Sequence, residues 1–164
     1  MDQPLLSSDF NVLHEGDRFV TDRRTISEAD VALFAELTGD RHPQHIDPIW
    51  AASSLFGERV AHGLLVFSCA AGLVPLDPER VVALRCVRDM VFKRPVRLGE
   101  SVCVEGNVRR ITPLEAGIDL IEVGMRVLRG DDLLALRAVL EVVWRRDDRS
   151  AVEPQPAAAE GIGG

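Results

Sequence analysis

Two rhythms divide this chain. Across its first half apolar positions recur at helical spacing, and across its second half they alternate with period two. Ser27 is placed to cap a helix whose first turn carries Glu28 and Asp30, negative charge that suits the positive end of a helix dipole. Val31, Phe34 and Ala35 follow at helical spacing, and Gly39 stands just past the expected end. Asp47-Pro48, a capping residue followed by proline at the first helical position, predicts a second short helix running to about Leu55, ahead of Gly57. The segment HGLLVFSCAAGL, from His62 to Leu73, is apolar on nearly every side, which predicts a helix buried all round.

The second half reads as strands. Val82, Leu84, Cys86, Met90 and Phe92 fall on one face of a first run, and Val102, Val104 and Val108 mark a second. Ile121, Val123, Met125 and Val127 line a third, and Leu134, Leu136, Ala138, Leu140, Val142 and Trp144 a fourth. Turn signals separate them at Arg94-Pro95 to Gly99, Pro113 to Gly117 and Gly130-Asp131; an earlier strand near Arg18 to Thr25 is expected to join the same sheet. Strands with one apolar face need a covering layer, and an all-apolar helix needs a wrapping one. The pattern therefore predicts an α+β domain: a curved antiparallel sheet around a central apolar helix.

Composition narrows the picture without changing it. A chain of 164 residues has room for one ordinary domain. Residues 1–10 look loose, 11–146 form the body, and the Pro-, Ala- and Gly-rich 147–164 has little to bury and reads as a disordered tail. With 19 Lys and Arg against 26 Asp and Glu the net charge is -7, which argues against nucleic-acid and anionic-membrane partners. Cys69, Cys86 and Cys103 are widely spaced within apolar runs and read as small buried hydrophobes. The start MDQPLLSSDF lacks the form of a signal peptide, and no apolar stretch approaches the ~18 residues of a membrane span, so the expected compartment is the cytoplasm.

The chemistry concentrates between the predicted helices. Thr38-Gly39-Asp40-Arg41-His42-Pro43-Gln44-His45-Ile46-Asp47-Pro48 is polar, punctuated by Gly and Pro, and dense in titratable groups, as binding loops are. Asp47 there reads as a helix cap. His42, His45, Asp47 and His62 also raise a metal reading, but the HxxH spacing between prolines is not helical, and no metal is expected. FAELTGDRHPQHID (Phe34 to Asp47) and FGERVAHGLL (Phe56 to Leu65) stand in order, with ALRCVRDMVFKRPVRLGESVCVEGNV downstream. Together they resemble the MaoC-like family of (R)-specific enoyl-thioester hydratases and dehydratases, which have the hotdog fold.

That resemblance implies a hydro-lyase acting on a 2-enoyl or (R)-3-hydroxyacyl thioester of the fatty-acid or polyketide type, carried on coenzyme A or an acyl carrier protein. It places Asp40 and His45 on the family's acid–base pair and the Gly63 N–H on its oxyanion donor, and it implies a homodimer with no cofactor beyond the carrier itself. His42 stands where the family usually has Asn, a residue that shapes such loops through side-chain-to-backbone bonds. His42, Trp50, His62 and Arg94 are further candidates for substrate contact, with His62 better suited to positioning the helix entrance than to acting on substrate. Two alternatives stay open, a hotdog thioesterase and a non-catalytic acyl-binding module.

Overall fold

The computed structural model describes residues 13–115 and 117–146; the flanking segments expected to be loose lie outside the described residues. Six strands and four helices follow in the order β1 (Arg18–Val20), β2 (Arg24–Thr25), α1 (Glu28–Thr38), α2 (Pro43–Ile46), α3 (Pro48–Ala52), α4 (Gly63–Ala71), β3 (Val81–Phe92), β4 (Ser101–Glu115), β5 (Ile118–Arg129) and β6 (Leu134–Arg145). The strands form one antiparallel sheet in the order β1-β4-β5-β6-β3, with β2 also on β4. The single strand expected near residues 18–25 is therefore two. Thr21 bridges them, its N–H donating to the Val104 carbonyl while its hydroxyl accepts from the Val104 N–H.

Local sequence explains the first helix in full. The Ser27 hydroxyl accepts from the Asp30 N–H and the Asp30 carboxylate accepts from the Ser27 N–H, a reciprocal capping box. Gly39 closes the helix at φ 76°, a left-handed residue that other side chains rarely adopt. Leu65, Val66, Cys69 and Ala70 of α4 press into the concave face of the sheet, against a core that includes Val104, Ile121, Val123, Met125, Leu140 and Val142. Truncating one such fully buried side chain as large as Ile121 costs about 2–5 kcal/mol.

Several expectations need correcting. Helix α4 is not covered on all sides: Leu64 is 54% exposed and Ser68 is exposed beside it, so one stripe faces away from the sheet. Strand β3 does not present Val82, Leu84 and Phe92 to the core. Register shifts along the β3–β6 ladder, with Asp89 at positive φ, change which residues point inward: Val81 and Val87 pack there beside Met90, the one of these that the alternation places inward. Helix α3 stops at Ala52 rather than Leu55, and α2 supplies a turn of helix where a loop was expected. Pro113 sits inside β4, so the turn before β5 is tighter than the sequence signal suggested.

Candidate active site

The polar loop after α1 hangs over the start of α4. Gly39 turns the chain out of α1, and the His42 ring Nδ1 accepts from the Gln44 N–H to cap α2. His42 thus performs the side-chain-to-backbone service expected of that position. Pro43 opens the turn that carries His45, and the Asp47 carboxylate then caps α3 through the N–H groups of Ile49 and Trp50. Two bonds close the loop against the body. The Val60 N–H donates to the Gln44 carbonyl at 3.2 Å, and His45 Nδ1 lies 2.6 Å from the Val60 carbonyl.

That second contact sets the His45 tautomer. A carbonyl only accepts, so Nδ1 carries the proton and Nε2 keeps its lone pair in the neutral ring. The Gln44 side-chain amide donates to that Nε2 at 3.1 Å. His45 is only 5% exposed, and burial holds its pKa below the ordinary histidine range. The Val60 bond and the Asp40 carboxylate pull it upward, while the imidazoles of His62 and His42 add to the lowering. The ring is therefore a neutral acceptor at neutral pH.

His62 lies beneath both groups. Its Nε2 is 2.9 Å from the Asp40 carbonyl and 4.0 Å from a carboxylate oxygen of the same residue, and its ring is stacked on that of His45 with centroids 3.8 Å apart. The Asp40 carboxylate remains half exposed. One polar atom each from Asp40, His45 and His62 lie within 4.8 Å of one another. Within that trio His62 Nε2 is spent on the Asp40 carbonyl, which leaves Nδ1 as the nitrogen of that ring without a hydrogen-bond partner.

A cleft of about 420 Å³ opens in front of this cluster. Asp40, Gln44, His45 and His62 form its polar end, and Phe34, Phe56, Val66, Phe92, Val96 and Leu136 its apolar walls. Gly63 is at the junction. No side chain caps α4, whose first residue, Gly63, lines the cleft. A Cβ on Gly63 would lie 2.7 Å from the Phe92 ring, so any other residue here would require the ring or the helix start to shift.

The structure thus brings Asp40, His45, His62, Gly63 and Arg94 together around one cleft and leaves His42 and Trp50 outside its lining. Those two pack on each other at 5.3 Å, edge to face. Arg85, Arg88 and Arg97 are engaged with Glu141, Glu122 and Glu58, while Lys93 and Arg94 stand at the cleft rim. Gln44 and Phe92 went unnoticed in the sequence. Gln44 lay inside the motif and invited scrutiny, whereas nothing local marks Phe92 as a wall.

A family model described as the MaoC like domain matches residues 9–127. The chain is 41% identical over 104 residues to the protein MaoC of Klebsiella aerogenes, covering 63% of this chain and 31% of that one. It is 32% identical over 90 residues to an (R)-specific enoyl-CoA hydratase of Rhodospirillum rubrum, covering 55% and 62% respectively. The chain therefore spans between about a third and about three fifths of the length of these curated relatives. The solved, unliganded (R)-hydratase of Pseudomonas aeruginosa superposes at a TM-score of 0.68 and 28% identity, over 92% of this chain and 94% of that one. A Mycobacterium tuberculosis protein described as a double hotdog fold superposes at 0.74 over 90% of this chain and 46% of that one, at 22% identity, and the fold is accordingly the hotdog.

Proposed function

Because the chain belongs to the MaoC-like domain family, we propose that it is a hydro-lyase that adds or removes water at a 2-enoyl or (R)-3-hydroxyacyl thioester. The observation that carries this reading is the His45 Nε2 lone pair, fixed by the Nδ1–Val60 bond and set beside the Asp40 carboxylate at the polar end of an apolar cleft. Hydration needs a proton taken from water as its oxygen attacks C3, and a proton delivered to C2. Asp40 and His45 share those two transfers, with the incoming water displacing the Gln44 amide from Nε2. Charge that gathers on the thioester oxygen meets the Gly63 N–H at the uncapped start of α4; one such donor contributes roughly 3 kcal/mol in comparable chemistry. Dehydration is the same path reversed.

The cleft walls suit an acyl chain, and Lys93 and Arg94 at the rim suit the phosphates of a coenzyme A or phosphopantetheine carrier. A homodimer follows from the uncovered stripe of α4 and from β3, a long edge strand with Val82, Leu84 and Phe92 exposed. Turnover of enoyl thioesters of graded length, on coenzyme A and on an acyl carrier protein, tests the reading through loss of the conjugated chromophore. Release of free thiol would indicate a thioesterase, and binding without turnover an acyl-binding module.

A further inference from the structure

The proposed chemistry leaves His62 without a task, yet three contacts converge on it. Its Nε2–H donates to the Asp40 carbonyl at 2.9 Å, its ring is stacked on His45, and Phe34 packs on it with ring centroids 5.0 Å apart. The side chain is 3% exposed. Its other nitrogen, Nδ1, is buried with no hydrogen-bond partner. An unpaired buried acceptor is destabilising, so an apolar ring would serve a purely structural purpose better.

The remaining bonds on Asp40 are long. Its N–H reaches the Thr38 hydroxyl at 3.3 Å, and its carboxylate accepts from the His42 N–H at 3.4 Å. The residue follows a left-handed glycine at the end of α1, and its side chain is half exposed. The bond from His62 is the shortest on Asp40, and it acts on the backbone, leaving the carboxylate free. The same ring sets the plane of the His45 imidazole by contact.

We propose that His62 is a positioning residue that holds Asp40 by its carbonyl and His45 by its ring, keeping the two in register without contacting substrate. This rests on the hydro-lyase reading. The groups that face His45 are Asp40, His42, His62 and the Gln44 amide, with Lys93 and Arg94 farther out at the rim. Removing the His62 imidazole therefore also takes away one influence that lowers the His45 pKa.

The test compares His62→Phe, which keeps a ring but has no donor, with His62→Gln, whose amide can reach the position of Nε2. On a short enoyl-CoA, His62→Phe should lower kcat by roughly 10- to 100-fold with KM within about twofold, the size of effect expected from a misplaced reacting group. Its acid limb should also move to higher pH. His62→Gln, which restores the donor but not the stacked ring, should lose clearly less than His62→Phe, and an equal loss in both would overturn the hold on the Asp40 carbonyl. A His62→Phe variant with parental kcat overturns the proposal, and so does a loss confined to KM, which would make His62 a substrate contact. NMR judges the clamp even if the unmodified protein turns over no thioester, a result that would count against the hydro-lyase reading alone. In the unmodified protein the His62 ring should be the Nε2–H tautomer, and the opposite tautomer overturns the clamp. The Arg41 amide nitrogen, bonded to the carbonyl that His62 holds, should shift in His62→Phe and not in His62→Gln; an unmoved signal in both refutes it.

Discussion

Gly63→Ala puts one methyl group where the structure has least room for it. The built Cβ falls 2.7, 2.9 and 3.0 Å from three carbons of the Phe92 ring, against an ordinary carbon contact of about 3.5–4.0 Å. Either the ring or the first turn of α4 must therefore move by about 1 Å. The Gly63 backbone is not left-handed, so the strain is one of contact and not of torsion. Overpacking of this kind costs about 1–3 kcal/mol. Phe92 is half exposed and can swing outward, which favours the lower end, a fall in Tm of roughly 3–4 °C for a domain of this size. Catalysis should suffer more than stability. If the Gly63 N–H meets the thioester oxygen, a displacement of that size should lower kcat by about 100-fold. Thermal unfolding and steady-state hydration of a short enoyl-CoA measure the two effects. Adding Phe92→Ala should restore most of the lost stability, because the opposing ring is gone. A Gly63→Ala variant with parental Tm and parental kcat would refute both the steric argument and the placement of the oxyanion donor.

Asp40→Asn and His45→Gln should each lower kcat by at least ~100-fold, and the double variant should be hardly worse than either, since a pair sharing one water fails as a unit; additive losses measured in the same assay would sink the pairing. The lowered His45 pKa has a thermodynamic counterpart. Between the folded value and the unfolded value near 6.5 the unfolded chain binds more protons, so this residue's contribution to stability is complete above about pH 6.5 and declines as pH falls towards the folded value. Chemical denaturation of the parent and of His45→Gln across that window should show the difference, and identical slopes would contradict it. Leu84→Arg on the exposed β3 edge should shift the sedimenting species from dimer towards monomer, whereas a parent that sediments as a monomer at micromolar concentration removes the dimer altogether.

Much of this architecture can be read from the amino-acid order, and the exceptions have physical causes. Helix α1 is bounded by Ser27 and Gly39, whose preferences act within a few residues, so its ends needed no tertiary information. The inner positions that the alternation marks in β4, β5 and β6 hold, and Val104, Val123 and Leu140 are buried as the pattern requires. In β3 the bulges change the phase of a two-residue rhythm, and a reading that assumes constant phase turns Val82 and Leu84 the wrong way. The polar end of the cleft was legible because Asp40 and His45 lie five positions apart on one loop, with Gly63 in the second motif block. Its far wall was not, because Phe92 and Leu136 reach the site through the β3–β6 pairing and Val96 through a backbone bond to Ala61, none of which a local motif encodes. His42 and Trp50 pack edge to face on each other outside the lining of the cleft.

The bond from His45 to the Val60 carbonyl joins residues 15 positions apart, with the Gln44 carbonyl and Val60 N–H doubling it. In polymer terms this is a ring closed at one point, whose contents are α3 and the exposed turn bearing Leu55. The entropy of closing such a ring grows only as the logarithm of its length, about 0.6 kcal/mol for each doubling. Insertions or deletions between Ile49 and Glu58 should therefore leave the closure, and with it the orientation of the imidazole, almost unaffected. Phe56, which the ring carries to the cleft wall, would move with them. The fold thus separates a length-tolerant stretch that can reshape what enters the cleft from the fixed contacts that orient the reacting groups.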